Sequence, residues 1–402
     1  MTKEYMYRAE YSNRIRPFID KQIIKVLTGQ RRVGKSYILL QLIDEILKTT
    51  PTANIIFIDK ELESFSEIRN NKDLYSYVDS KLQKEHNYLF IDEVQEIESF
   101  ELCLRSLLNE DKCDIFCTGS NAQILSGELA THLAGRYIAF PIHSFSYSEF
   151  LSINTLENST TNLIQYLTLG GMPYLSNLNL NKDVSFEYLK NVYASILLKD
   201  VVARENIRNV AFLENLITFL ADNTGSIFAA LNISKYLKSQ QINLTTQTVL
   251  NYLLGLRNAF FIYRIPRIDV NGLKIFEVGE KYYFEDLGLR NAIRTFDFKK
   301  DVNKLMENAV CMHLIRNQYK VYVGKLGDKE IDFVAEKNGE RMYIQVCYML
   351  YDEAVIQREF GNLMQIRDQY PKYVVTFDEI QTSNSYMGIK QMHLREFLDT
   401  TF

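Results

Sequence analysis

Residues 29–36 constrain the fold of this chain more than any other stretch. Their sequence, GQRRVGKS, fits the pattern G-x-x-x-x-G-K-[ST] of phosphate-binding loops. Residues 23–28 ahead of the loop read as a short buried strand, and residues 36–48 after it predict a helix. A loop between a strand and a helix N-terminus points backbone N–H groups at an anion, so we expect a phosphate site here rather than an empty glycine turn. The apolar stripe predicted for the helix consists of Tyr37, Leu40, Ile43 and Leu47.

The motif gives the residues of this loop separate tasks. Gly29 and Gly34 would let the backbone curl around a triphosphate. Lys35 would reach the β- and γ-phosphates of ATP, and the Ser36 hydroxyl would bind Mg²⁺. The residues expected to contact ATP or ADP are Gly29, Gln30, Arg31, Arg32, Val33, Gly34, Lys35, Ser36 and Tyr37.

Short apolar strands alternate with helical stretches over the first 151 residues. This alternation predicts an α/β fold with a parallel sheet covered on both faces. In the sequence, the strand at 55–59 lies between the phosphate loop and the strand at 88–92, which carries the second motif of the site. This order suits P-loop ATPases with an inserted strand better than nucleotide kinases. The predicted strands are residues 23–28, 55–59, 88–92, 114–118 and 137–142.

The strand at 88–92 ends in two carboxylates, Asp92 and Glu93. Carboxyl ends of parallel strands meet at one edge of a sheet, so both acids should lie beside the phosphate loop. Asp92 would hold Mg²⁺, and Glu93 would position the water that attacks the γ-phosphate. Solvated acids at a strand end are the plainer alternative, but the upstream loop favours the catalytic interpretation.

Two further polar positions follow later strands. Ser120 or Asn121 could touch the γ-phosphate or the attacking water, or either could simply cap a helix. Arg136 precedes the strand at 137–142 and could stabilise transition-state charge in a neighbouring subunit's site. A surface arginine without such a role is the alternative.

Four strings of this sequence resemble the AAA-type ATPase domain of a large group of bacterial and archaeal ATPases: GQRRVGKS, LFIDEVQ, CTGSNAQILS and LAGRYIAFPIHSFSYSEFL. Residues 170–173 and 198–200 also match that group, so the resemblance covers nearly the whole chain. It implies ATP hydrolysis, with Ser120 or Asn121 as the sensor, Arg136 as the arginine finger, and an endonuclease-like domain of unknown function at the C-terminal end.

Composition excludes several other classes of protein. The net charge of −4 gives no overall basic surface for nucleic acid, so any DNA binding needs a local patch. The five cysteines are scattered without C-x-x-C pairs, which favours a reduced cytoplasmic protein over a disulfide or zinc protein. No apolar run approaches the length of a membrane span, and the first residues lack the apolar core of a secretion signal. We expect no membrane partner.

The region 163–298 has a different sequence pattern, mostly helical with one predicted hairpin. Residues 163–209 predict a helical lid over the nucleotide, and 210–298 predict a winged helix-turn-helix with helices at 212–222, 232–239 and 245–258. Strands at 259–266 and 273–284 flank an Asn-Gly hairpin turn. The third helix could enter the major groove of double-stranded DNA, or the fold could serve protein contact only. Residues that could contact DNA are Gln247, Asn251, Arg264, Arg267, Lys274 and Lys281.

Residues 299–402 resemble restriction-endonuclease-like folds in layout. Glu307 fits the helical acid and Asp332 the strand acid of a Mg²⁺-dependent nuclease. The third strand carries Gln345 and Cys347, where that motif needs an acid and a lysine. We therefore expect a degenerate domain that binds without cleaving. A residual metal site, with Lys329 or Arg358 in place of the missing lysine, stays open.

Together these features predict a Mg²⁺-dependent ATPase with domains at 1–151, 163–209, 210–298 and 299–402. Hydrolysis would drive or gate the C-terminal half. One expected output is engagement of DNA, with a ring of identical subunits as one form of assembly. The alternatives are an ATP-controlled protein-interaction switch and an ATP-gated nuclease.

Overall fold

The computed structural model describes residues 6–125, 133, 135–205, 207–227, 235, 238, 245–272, 274–294, 296–379 and 385–401. The chain divides into two compact units. The first contains residues 1–143 and 258–260, and the second contains residues 144–257 and 261–402. Each unit has its own β-sheet.

The described part of the first unit contains a parallel sheet in the order β2-β3-β4-β1-β5. The predicted parallel α/β core is therefore confirmed. The interpretation of the strand at 55–59 needs a correction: β2 lies at the sheet edge, and β4 is the strand inserted between β1 and β3. The strands are β1 (Ile24–Thr28), β2 (Asn54–Asp59), β3 (Asn87–Asp92), β4 (Asp114–Gly119) and β5 (Tyr137–Pro141).

Helices cover this sheet: α1 (Ala9–Ile15), α2 (Lys35–Thr49), α3 (Asn71–Asp79) and α4 (Phe100–Asn109). The apolar stripe predicted for α2 was wrong, because Tyr37, Leu40 and Leu47 are exposed. Apolar residues surround most of this helix, so its period allows two stripes, and packing against the sheet selects one. The buried stripe consists of Ile38, Leu39, Leu42 and Ile46.

The described part of the second unit contains a mixed sheet in the order β12-β13-β11-β10-β9-β8-β6-β7. The predicted hairpin is confirmed as the antiparallel pair β6 and β7. Its strand β6 also pairs in parallel with β8, so one sheet extends across residue 298, where the sequence predicted a domain boundary. The strands are β6 (Ile262–Asp269), β7 (Ile275–Phe284), β8 (Lys320–Leu326), β9 (Lys329–Lys337), β10 (Glu340–Cys347), β11 (Lys372–Thr376), β12 (Ser385–Tyr386) and β13 (Ile389–His393).

The helices of the second unit include the segment predicted as a lid. There α6 and α7 pack against α10, and a π-helical stretch at Ile196–Ala203 continues α7. The predicted helix at 232–239 lies outside the described residues apart from 235 and 238. The helices are α5 (Tyr147–Ile153), α6 (Thr160–Leu169), α7 (Lys182–Ser195), α8 (Val210–Asp222), α9 (Thr246–Asn258), α10 (Leu287–Ala292), α11 (Phe298–Arg316), α12 (Glu353–Met364) and α13 (Leu394–Asp399).

Close backbone contact explains the glycine pair that follows α6. The Asp286 carboxylate, which caps α10, accepts a hydrogen bond of 2.7 Å from the backbone N–H of Gly171. Gly170 has φ +75°, and a Cβ there would lie 2.4 Å from an Asp286 oxygen. The pair therefore fixes how α6 meets α10, a packing role within the second unit.

Candidate active site

The loop at 29–36 has the positive φ angles that its two glycines predict. Gly29 has φ +151°, and a Cβ there would lie 2.1 Å from the carbonyl oxygen of Ile142 on the strand-β5 side. Gly34 has φ +95° and immediately precedes α2. The Lys35 ammonium donates to the carbonyls of Gly29 and Gln30, at 3.1 Å each, so it is folded back over its own loop.

An arginine that sequence reasoning missed holds the outer side of this loop. The guanidinium of Arg8 donates to the carbonyl of Val33 at 3.1 Å and to that of His143 at 2.9 Å. Its backbone N–H donates to the Gln41 side chain of α2 at 2.9 Å. Arg8 is 4% exposed and thus ties the N-terminal segment, the loop and α2 together. The sequence signal was weak: a single arginine before a short helix.

Asp92 lies at the carboxyl end of β3, as predicted, and is buried. Its carboxylate accepts hydrogen bonds from the hydroxyls of Thr118 and Ser36. Burial raises the pKa of Asp92, while these two hydrogen bonds oppose that rise. The predicted pair of metal ligands, Ser36 and Asp92, is therefore in contact.

Glu93 follows Asp92 in a left-handed backbone conformation, with φ 54°. One carboxylate oxygen lies 3.6 Å from the Lys35 ammonium, and the other accepts a hydrogen bond from the Gln95 amide. Burial alone would raise the pKa of Glu93. Lys35 and hydrogen bonds from Gln95 and Ser120 outweigh it and hold that pKa below its usual range. Glu93 therefore carries its charge at neutral pH, as a water-orienting base must.

Ser120 and Asn121 make different contacts. The Asn121 side-chain oxygen accepts the backbone N–H of Gln123 at 2.7 Å, at the start of the short 3₁₀ helix Ala122–Leu125. The Ser120 hydroxyl donates to Glu93. Asn121 thus caps a helical turn, and Ser120 touches the predicted catalytic acid.

Unsatisfied polar atoms indicate that the site suits ATP and Mg²⁺. Both polar atoms of the Gln30 amide and the Asn121 side-chain nitrogen are buried without a hydrogen-bond partner among the described residues. Such orphan groups cost free energy unless a ligand completes them. Hydroxyl and carboxylate oxygens on Ser36 and Asp92 are the donors that Mg²⁺ prefers. The residues present therefore fit a magnesium nucleotide.

Three other predicted site residues, Arg31, Tyr37 and Arg136, differ in exposure, and Arg31 is half-buried. Arg31 pairs with Glu61 at 3.1 Å, and Tyr37 is 44% exposed. Arg136 is exposed and donates to the Asn109 side chain at 3.0 Å. It directly precedes β5, at the end where Ile24 pairs with Tyr137, whereas the loop follows Thr28 at the other end of β1. Four residues of strand, roughly 13 Å, separate Arg136 from its own phosphate loop.

The acids of the predicted nuclease motif meet in the second unit around a lysine from the hairpin. The Lys281 ammonium lies 2.7 Å from Glu330, 3.4 Å from Glu307 and 3.7 Å from Asp332. Burial raises the pKa of Glu307, and burial together with Glu307 raises that of Asp332 to about 8. Burial alone would lower the pKa of Lys281, but the three carboxylates raise it above its usual range.

This finding corrects the predicted role of Lys281. The side chain is 3% exposed, so it cannot contact a DNA phosphate. Arg264, also proposed for phosphate contact, lies 3.4 Å from Glu280. The substitutes considered for the missing nuclease lysine do not enter the cluster either, since Lys329 is exposed and Arg358 pairs with Glu359. Side chains alternate between the two faces of a strand, so Lys281 and Tyr283 lie on the same face of β7. Tyr283 also donates to Glu307. This alternation was the sequence signal that could have placed Lys281 on the same side as Tyr283.

Within the part of the chain that the structure describes, no helix is both long and apolar enough to cross a membrane.

The solved structures that align with this chain do so at low TM-scores. The chain aligns with an Aeropyrum pernix ORC1 protein solved in complex with DNA at a TM-score of 0.30 and 10% identity, over 74% of this chain and 95% of that one. It aligns with C. elegans PCH-2 at a TM-score of 0.27 and 16% identity, over 63% and 64% of the two chains. TM-scores this low support no conclusion about the function of this chain.

Sequence comparisons give a firmer result. Residues 21–151 match the AAA domain family AAA_14, and residues 160–300 match a domain of unknown function, DUF8612. An uncharacterized protein of Methanocaldococcus jannaschii is 28% identical over 349 residues, 81% of this chain and 75% of its own length. An uncharacterized protein of Haemophilus influenzae is 33% identical over 386 residues, 94% of each chain. The chain therefore belongs to the family of that Haemophilus influenzae protein, and its first unit carries an AAA-type ATPase domain.

Proposed function

We propose that this chain hydrolyses ATP in a Mg²⁺-dependent reaction at the site formed by residues 29–36, Asp92 and Glu93. The observation that carries the proposal is the contact between Lys35 and Glu93, at 3.6 Å, beside the pair of Ser36 and Asp92. A phosphate-binding cation, an ionised base and two oxygen ligands for Mg²⁺ thus meet at one edge of the sheet.

Each residue then has a defined task. The amides of the loop and Lys35 bind the phosphates, so the Lys35 ammonium has to leave the carbonyls of Gly29 and Gln30. Ser36 and Asp92 hold Mg²⁺, which offsets phosphate charge when bound. Glu93 orients the attacking water and can accept its proton. Ser120 donates to Glu93 and therefore couples the end of β4 to the base.

Steady-state turnover of wild type and Glu93→Gln tests this assignment. We expect the variant to bind ATP but to turn it over at least roughly 100-fold more slowly than wild type, the usual scale of general-base catalysis. The matched control is Glu96→Gln, an exposed acid on the same turn, which should leave turnover unchanged. Equal turnover in wild type and Glu93→Gln would contradict the assignment.

For the output of the cycle, one candidate is DNA engagement by the region 210–298. It requires a basic surface, which Arg267 and Lys274 would have to supply with Gln247 and Asn251 of α9. These last two side chains are exposed and hydrogen-bonded to each other at 2.9 Å. The burial of Lys281 and the pairing of Arg264 reduce that surface. They favour the second candidate, an ATP-controlled switch that binds protein.

Adding duplex DNA to the turnover assay separates the two outputs. If the protein engages DNA, turnover rises with DNA, and binding weakens steeply with log salt. Turnover that is indifferent to DNA, together with ATP-dependent self-association or partner capture, would favour the protein switch instead.

A further inference from the structure

The acidic cluster of the second unit is organised around an amino group. Lys281 reaches it from β7, Glu307 from α11, and Glu330 and Asp332 from β9. All three carboxylates lie within 3.7 Å of the ammonium nitrogen. The cluster therefore already holds one buried cation supplied by the chain.

Hydrogen bonds fix the acids in this arrangement. Asp332 accepts the backbone N–H of Val346 at 2.9 Å, and its own N–H donates to the Gln345 side-chain oxygen at 2.7 Å. The Gln345 amide nitrogen in turn donates to Glu359 at 2.9 Å. Where the nuclease motif needs an anionic ligand, this chain thus has a neutral amide that is engaged on both sides.

Glu307 is held by a neighbour on the same strand as Lys281. Tyr283 donates to the Glu307 carboxylate at 3.0 Å, and a Cβ at Gly225 would lie 2.6 Å from it. A cavity of about 430 Å³ adjoins the cluster, and its lining includes Tyr348, Met349 and Tyr351 together with the three acids. The bond from Tyr283 and the charge of Lys281 therefore hold Glu307 beside the ammonium.

We infer that the ammonium group of Lys281 takes the place of a divalent metal ion in this cavity, so that the second unit binds no catalytic metal. A divalent ion among these carboxylates would lie next to the ammonium and be repelled by it. Among the described residues, no three His, Cys, Asp or Glu side chains are arranged to hold a common metal ion. Three of the features that Mg²⁺-dependent cleavage requires are thus replaced: the metal by Lys281, the acid by Gln345, and the lysine by Cys347.

Mn²⁺ binding to the nucleotide-free full-length chain tests this inference. The electron paramagnetic resonance signal of free Mn²⁺ reports binding, and Asp92→Asn in every variant removes the metal ligand of the ATP site. We expect the background protein to leave Mn²⁺ free. Adding Lys281→Met, which keeps an unbranched side chain one atom shorter but removes its charge, should create a Mn²⁺ site and raise the melting temperature in the presence of Mn²⁺.

Adding Asp332→Asn to Lys281→Met should abolish that site, which locates it in the cluster. Binding by the background protein that Asp332→Asn removes would overturn the inference, and this arm does not depend on the folding of Lys281→Met. A Lys281→Met protein that has the circular dichroism spectrum of the background and binds no Mn²⁺ would overturn it as well.

Discussion

Glu93 and Gly29 both have a positive φ at the predicted catalytic edge, which strains Glu93 and requires a glycine at 29. Glu93 has φ 54°, a conformation that costs free energy in residues with a side chain. Gly29, at φ +151°, lies where a Cβ would collide with the carbonyl of Ile142. Strain of this kind persists only where the surrounding structure enforces it, and here it accompanies the contact of the Glu93 carboxylate with Lys35 at 3.6 Å.

Gly29→Ala should therefore impair the loop more than an ordinary glycine substitution. The added Cβ must displace Ile142 or the loop, so we expect a loss of about 1–3 kcal/mol in stability and loss of ATP binding. Gly361→Ala is the matched control, since Gly361 lies within α12 with open space around it. That change should be neutral or stabilising by up to about 1 kcal/mol. Chemical denaturation and nucleotide titration measure both, and wild-type ATP affinity in Gly29→Ala would refute the argument.

His313 predicts how stability depends on pH. Burial lowers its pKa to about 4, although a hydrogen bond with the Thr400 carbonyl at 3.0 Å partly opposes this. The unfolded chain, with an ordinary pKa of about 6.5, binds the proton more tightly, so stability is lost as pH falls through the window from about 6.5 to 4. At pH 5 the loss should be about 2 kcal/mol relative to pH 7.

The denaturant midpoint of the second unit at pH 7 and pH 5 tests this sign. His313→Gln keeps a donor for the Thr400 carbonyl but does not titrate, so its midpoint should change less over the same interval. An equal acid loss in wild type and variant would assign the effect to other groups.

Among the elements, α1 and α2 form the frame of the phosphate loop. Arg8, which immediately precedes α1, contacts α2 through the Gln41 side chain. Its guanidinium also donates to the carbonyl of Val33 in the loop and to that of His143. Arg8→Met should leave the two carbonyls without their buried donor, at a cost of about 1–3 kcal/mol, and weaken ATP binding. Arg14→Met is the matched control within α1, because Arg14 pairs with Glu10 at 3.8 Å and lies 5.9 Å over the Tyr11 ring, both on its own helix. Fluorescent-nucleotide titration compares the two, and equal affinities would show that Arg8 does not support the loop.

The elements also show what the sequence could and could not predict. Strands β1–β5 were readable because each is a short apolar run between helical stretches, and the loop motif fixed the position of Lys35 and Ser36. The buried stripe of α2 was not readable, because two apolar faces competed. The pairing of β6 with β8 and the approach of Lys281 to Glu330 and Asp332 join segments about fifty residues apart, which no local pattern encodes.

For the whole molecule, Arg136 carries a prediction about assembly. It lies at the opposite end of the sheet from its own loop, so it can act only on the site of another copy of the chain. Arg136→Ala should lower turnover, and so should Lys35→Ala. Mixing the two variants should restore part of the activity, because some interfaces then pair an intact loop with an intact arginine. Mixtures no more active than the separate variants, or a wild type that turns over as a monomer, would contradict a finger role.

The parallel pairing of β6 with β8 has a consequence for dissecting this protein. A fragment starting at residue 299 would lose β6 and β7 and expose one edge of β8, an open template for aggregation. It would also leave Glu307, Glu330 and Asp332 without the only cation that touches all three among the described residues. Divalent metal captured by such a fragment would be an artefact of the cut. The activity of the C-terminal part has to be read from the intact chain.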